Sequence, residues 1–458
     1  MTAHGAAAPV LQKLGTALAR RAAARPWRWT VAAPLAPAER VWDAVPGARA
    51  WFWETAEGTW AGLGEAVVVE GTGAGRLPAV AAALGRLRAA GWEEASKPSG
   101  PSPSLFGGAA FAADAGTAPP WEGFGDARFV LPRWTYHRGG GRASLTLALP
   151  PGEAEAAKLS AELSAILGAL AAPGVEPRQE VEAVELREED DQAWVAAVGA
   201  ARAAIDAGRL AKVVLVRRTD VRLASSPPGA VLLRRLGEEG AGLFRFGLRR
   251  AGAVFVGASP ELLVARRGAE VRAEALAASV PRPADAGAAA EEALAARLLA
   301  DGKQRLEHDL VVDAVRRALA PVCAELAVPA TPEVRVLRHL LHLSTPVRGT
   351  LRHGAAVLEL AARLHPTPAV AGEPREQALA FIAAHERYPR GWFSGPVGRV
   401  ALDGDGELAV ALRSALVREC EAYVYAGAGI VAGSRAELEL AEIRAKARTC
   451  LAALGVHA

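Results

Sequence analysis

Apolar and polar positions alternate in short runs in the first part of the chain, and helical spacing becomes more frequent later. From Trp51, WFWETAEGTWAGLGEAVVVEG alternates large and small residues and breaks at Glu57-Gly58, which predicts two strands around a turn. Residues 76–94 carry helical spacing. PSGPSPSLFGGAAFAAD then supplies a Pro/Ser loop and a Gly-rich strand. FVLPRWTYH and SLTLALP predict further strands before a helix over about 153–170. Residues 1–30 form an amphipathic or poorly ordered lead-in, and the Pro- and acid-rich residues 172–191 are a candidate linker. The chain thus divides into 1–30, an amino-terminal part at 31–190 and a second part at 191–458.

In that second part a helix over 192–207 ends at Gly208, and Lys212 leads the strand KVVLVRRTDVRL. FRFGLR and AVFVGASPELLVARR predict strands, with Ser259-Pro260-Glu261 at a bend, and EVRAEALAASVPRP is extended. Residues 289–320 read as one long helix on which Lys303 stands four residues before Glu307, at pairing distance. HLLHLSTPVRGTL, the loop LHPTPAVAGEP, a helix to about Glu386 and a hairpin with a Gly-Asp-Gly turn follow. The last segment, YAGAGIVAGSRAELELAEIRAK, reads as strand, glycine turn and helix. Ser434 and Glu437 have capping-box spacing. Strands and helices come in blocks with hairpins, which predicts an α+β fold with antiparallel sheets rather than a doubly wound one.

Composition narrows the classes. The 458 residues are 51% hydrophobic with a net charge of only +3, and no basic stripe interleaved with aromatics suggests nucleic acid. No run of about 18 apolar residues predicts a membrane span, and the Ala- and Arg-rich start lacks a cleavable apolar core. The three cysteines, Cys323, Cys420 and Cys450, are far apart, so neither a zinc site nor a disulfide framework is expected. The expectation is a cytoplasmic globular protein without nucleic-acid or membrane partners.

Several polar residues sit where apolar runs end. Lys212 either snorkels to the surface or, held in a semi-buried site, acts as a base. Glu261 is either a strand-edge charge or an acid whose protonated form burial favours. Glu439, Glu442 and Lys446 share one helix face opposite Gly427 and Gly429, which remove side chains where a ligand could approach. That face is either a solvated Glu442–Lys446 pair or a cation- and anion-binding surface. His342 and His365 read as core or capping histidines, and an inward Arg413 could clamp a carboxylate.

KVVLVRR, GASPELLV, DGKQRLEHDLVVDAVRR, HLSTPV, LHPTPAVAG, RGWFSGPVG, AVALRSALV and AGAGIVAGS occur in the order found in the chorismate-utilising enzymes, which the chain resembles strongly over residues 192–454. WFWE, GLGEA, GGAAF and FVLPR resemble that family's more variable amino-terminal portion. The resemblance implies a single α/β/β/α domain, two packed antiparallel sheets flanked by helices, with a Mg2+-dependent site between them. The lysine strand and the His365–Val370 loop are most similar to the isochorismate synthases. Their implied chemistry is deprotonation of water by Lys212 and protonation of the departing C4 hydroxyl of chorismate by Glu261. Ammonia-using relatives typically carry glutamine at the lysine position, so no glutaminase subunit is expected. The resemblance further implies Mg2+ held by Glu307 and Glu442, with Glu439 through water. It implies Arg413 and the Gly427–Gly429 backbone on the enolpyruvyl carboxylate, and Ser279, His342, Ala369 and Lys446 lining the site. Relatives commonly read AGT or AGS where this chain has Ala277-Ala278-Ser279, and Pro283 changes the following turn. A salicylate synthase that also eliminates pyruvate, and a silent chorismate-binding protein, are the alternatives. The product could feed menaquinone, a catecholate siderophore or salicylate.

Overall fold

The strand Ala127–Gly139 is buried along most of its length and is paired on both edges. Gly58–Gly71 runs along one edge, while Ser104–Ala109 and Arg142–Leu149 share the other. Two antiparallel wings grow from it in the computed structural model, which describes residues 3–95, 100–153, 155–172, 180–240, 242–283 and 287–456. The first wing continues through Ala50–Thr55, Phe244–Arg250, Ala253–Ser259, Ser414–Arg418 and Glu421–Ile430 to Lys212–Leu223. The second runs through Pro396–Ala401, Gly406–Val410, Leu262–Arg267 and Glu270–Pro281 to Leu340–Leu351. The α+β antiparallel architecture is as expected, but the two sheets are joined through the central strand into one network, of 21 strands among the described residues.

Both parts of the chain contribute to both wings. Ala50–Thr55 pairs with Phe244–Arg250, and Ser104–Ala109 with Pro396–Ala401. The amino-terminal lead-in contains a helix, Ala3–Ala19, which buries Leu14 and packs on the helix Ala156–Ala171. Residues 173–179 of the candidate linker lie outside the described residues. Beyond them, Ala183–Glu188 pairs with Lys212–Leu223 and extends the sheet.

Two local expectations change. The long helix divides into Ala288–Ala300 and Gly302–Leu319, because Asp301 takes an extended conformation and accepts hydrogen bonds from the Lys303 and Gln304 amides as an N-cap. The last helix, Ala436–Ala453, starts after Arg435, and its N-cap makes no side-chain hydrogen bond. The Ser434 hydroxyl instead turns back and accepts from the Val431 amide (3.2 Å), so no capping box forms.

The chain passes between wings twice close together. Glu261 lies on the passage from Ala253–Ser259 to Leu262–Arg267, and Arg413 on the return from Gly406–Val410 to Ser414–Arg418. The crossings are bonded to each other. Ser259 Oγ donates to the Val410 carbonyl (2.6 Å), the Val410 amide to the Glu261 carbonyl (3.1 Å), and the Ala258 amide to the Arg413 carbonyl (3.1 Å).

Candidate active site

At these crossings the wings line a cavity between them. Val214, Val216, Gly427 and Gly429 line it from the first wing, and Leu276, Ala277, Ala278, Ser279 and His342 from the second. Glu261 and Arg413 reach it from the crossings, Ala369 from the loop after His365, and Glu307 and Lys446 from the two flanking helices. Lys212, Glu439 and Glu442 stand behind this lining and face Glu307, Lys303 and Lys446 respectively.

The glycine pattern has a steric cause. A Cβ at position 429 would come within 2.1 Å of Glu307 Oε1 and 2.9 Å of Lys212 Cε, so only glycine lets those side chains meet across the strand. Lys212, fully buried, places its ammonium 3.0 Å from Glu307 Oε1, yet the angle makes no hydrogen bond and leaves its donors uncommitted. The snorkelling alternative is thereby excluded. The Gly427 carbonyl accepts from Lys446 Nζ (2.9 Å), which also pairs with Glu442 (2.7 Å). Two of the three ammonium donors are used, and the third is open to a ligand.

Lys303 does not pair with Glu307 as its spacing suggested. It crosses to the neighbouring helix and bonds Glu439 Oε1 at 2.6 Å. Three carboxylates on two adjacent helices therefore each face a lysine. Burial raises the Glu442 carboxyl above its ordinary value, opposed by Lys446 and reinforced by Glu307 and Glu439. The three acids thus act on one another, and hard oxygen donors of this kind suit a divalent cation. Among the described residues, no three His, Cys, Asp or Glu side chains converge on one cation position.

Glu261 is almost wholly buried, and burial, with Glu274 adding to it, pushes its carboxyl up to about 8 against the pull of Lys212 and Lys446. It is therefore a proton donor at neutral pH. Arg413 Nη2 donates to His342 Nε2 (2.9 Å), and the other ring nitrogen lies 2.8 Å from Ser279 Oγ. A guanidinium only donates, so Nε2 is the acceptor and Nδ1 carries the hydrogen that Ser279 Oγ accepts. Burial, then Arg413, Lys446 and Arg335, hold His342 well below its usual range and hence neutral. The Ser279 hydroxyl is left to donate into the cavity.

Sequence reasoning missed other parts of the lining. Phe393 and Tyr425 stack with ring centroids 5.3 Å apart and form an apolar wall. Arg390, buried, donates to the Val370 and Val214 carbonyls (2.6 and 2.8 Å) and to Glu386 Oε2 (2.8 Å), tying the loop after His365 to the lysine strand. RGWFSGPVG stands among the family motifs, but its Arg390 and Phe393 carried no assigned role. An arginine beside aromatic residues was the available signal. Ala278, Ser394 and Arg413 all line the cavity in the left-handed region, with φ of 64°, 58° and 47°. Such strain in non-glycine residues collects at functional sites.

Residues 29–455 match the family model described as chorismate binding enzyme. The chain is 36% identical over 366 residues to the salicylate biosynthesis isochorismate synthase of Pseudomonas aeruginosa, covering 77% of this chain and 75% of that one. It is 31% identical to isochorismate synthase MenF of Bacillus subtilis, over 79% and 77% of the two chains. The solved structure of the menaquinone-specific isochorismate synthase MenF of Escherichia coli superposes with a TM-score of 0.80 at 27% identity, covering 99% of this chain and all of that one. A cavity between two antiparallel wings, lined by Glu261, Glu307, Arg413 and Lys446 with Lys212 buried behind Glu307, goes with that similarity: this chain belongs to the chorismate-binding enzymes.

Proposed function

We propose that the protein is an isochorismate synthase, an isomerase that adds water at C2 of chorismate and expels the C4 hydroxyl. The observation that carries this reading is the Glu261 carboxyl, protonated at neutral pH, in one cavity system with the buried Lys212 amino group, which faces Glu307 without a hydrogen bond. The relatives named isochorismate synthases support it. Lys212, once it has given up its own proton and stands as the free amine, takes a proton from the attacking water as the O–C2 bond forms. The diene shifts toward C4, the C4–O bond breaks, and Glu261 supplies the proton with which the hydroxyl leaves as water. Arg413, with the Gly427–Gly429 backbone, receives the enolpyruvyl carboxylate, while Ser279, His342, Ala369 and Lys446 line the ring. Glu307 and Glu442, with Glu439 through water, would hold Mg2+, whose charge would neutralise the ring carboxylate and draw electrons from the diene. The cysteines Cys323, Cys420 and Cys450 are all free, and no helix among the described residues is long and apolar enough to cross a membrane. We further propose a cytoplasmic reaction with no glutaminase subunit, since water is the nucleophile.

In ¹⁸O-water the protein is expected to place label at C2 of isochorismate and to release no pyruvate, as read by mass spectrometry. Unlabelled product would reject water attack. Stoichiometric pyruvate with salicylate would make the protein a salicylate synthase. Binding of chorismate without turnover would make it a silent binding protein.

Ala278 offers a second test. Its left-handed backbone costs a non-glycine residue roughly 1–2 kcal/mol, but its methyl joins a small apolar cluster with Leu298, Leu341 and Leu343, worth about 0.8 kcal/mol. Because these nearly cancel, Ala278→Gly is expected to change stability by about 1 kcal/mol or less. If the methyl crowds the ring pocket, KM falls more than kcat changes. An unchanged or raised KM would show that the pocket has adapted to alanine.

A further inference from the structure

A clamp on the far side of Glu261 has no part in the reaction as derived above. Arg335 Nη1 donates to the Pro260 carbonyl, immediately before Glu261, at 2.8 Å. The same nitrogen lies 3.1 and 3.0 Å from the two carboxylate oxygens of Glu274, and Ser344 Oγ donates to Glu274 Oε1 at 2.6 Å. One guanidinium nitrogen thus ties the bend that carries Glu261 to a carboxylate on the neighbouring strand. Glu274 is shielded from solvent, its side chain being 14% exposed, so its charge acts on Glu261 through little water.

We propose that Glu274, clamped by Arg335 and Ser344, is a positioning residue for Glu261: its negative charge keeps the Glu261 carboxyl in its proton-donating form, while Arg335 fixes the Pro260–Glu261 bend. This rests on the reading of Glu261 as the general acid. Burial raises the Glu261 carboxyl first and Glu274 adds to it, against the pull of Lys212 from the first wing and Lys446 from the last helix. Glu307, Arg413 and His342 face the same cavity and act on every variant alike. Glu274 is therefore a counterweight to lysines that the reaction needs close by.

A general acid works only while protonated, so kcat/KM falls as pH rises through the titration of Glu261. Glu274→Gln keeps the shape and removes the charge, so this alkaline limb should move down by about one pH unit. Activity at about pH 6 should stay within a factor of two or so of wild type. Arg335→Gln removes the opposing charge and should move the limb up. Opposite shifts are not produced by a merely structural role. Limbs that stay in place, or losses uniform in pH, would overturn the proposal.

Difference infrared titration of the Glu261 carboxyl, taken against Glu261→Gln in the ligand-free protein, reads the same coupling without turnover. Opposite shifts there in a protein that does not convert chorismate would sustain the coupling and overturn the assigned reaction. Turnover of chorismate with an unmoved titration would overturn the coupling alone.

Discussion

Lys212→Ala is expected to lose water addition by about 10²–10⁴-fold in kcat while chorismate and Mg2+ still bind. Glu261→Gln is expected to lose departure of the C4 hydroxyl by a similar factor. The same two groups serve the reverse reaction, so both variants should fail equally when started from isochorismate. Rates in both directions, with calorimetric binding of chorismate, provide the check. A variant that keeps near-normal turnover, or fails in one direction only, would remove that residue from its role. Removing Lys212 also strips Glu307 of its buried counter-charge, a loss of the kind that costs about 3–5 kcal/mol. The folded fraction of the alanine variant must therefore be established by melting before its rate is interpreted.

Glu307→Gln and Glu442→Gln are expected to abolish Mg2+-dependent turnover and the heat of Mg2+ binding, with the fold intact. The loss should exceed the roughly 10–100-fold typical of outer-shell partners, because a charged donor is removed outright. Glu442 is raised above its ordinary value by burial and by its acidic neighbours. It therefore favours the folded state below its unfolded titration point, and that contribution is lost as pH rises through the folded one. Glutamine removes this liability, so the metal-free Glu442→Gln protein should melt no earlier than wild type at neutral pH. Near-normal activity of both variants at low Mg2+ would sink the metal assignment. Lys303 and Lys446 bear on the same experiment, since an incoming cation competes with their ammonium groups for carboxylate oxygens.

Legibility followed the range of the interactions. Apolar alternation and turn residues are local, and they placed the strand led by Lys212, the Ser259-Pro260-Glu261 bend and the Gly427–Gly429 strand where the structure has them. The residues singled out from motif order also meet in one place, although their neighbours there are separated by up to some 230 positions, as Lys212 and Lys446 are. What was not legible depended on competing partners. Lys303 had Glu307 at helical spacing, but Glu439 on the neighbouring helix takes it. Ser434 had capping-box spacing, but the turn preceding the helix offered the Val431 amide first. Asp301 interrupts an otherwise continuous helical pattern because its side chain caps better than its backbone continues. The left-handed conformations of Ala278, Ser394 and Arg413 leave no trace in residue type, since none is glycine.

The two adjacent crossings between wings also say something about how the molecule comes together and comes apart. Glu261 and Arg413 have no fixed position until both wings exist and have met, since each belongs to a connection rather than to a strand. The contacts that set them span long stretches of chain, which is the slow class of contact in folding. Catalytic competence should thus arrive after the bulk of the sheet during refolding. It should also disappear first under mild denaturant, while most of the sheet is still in place.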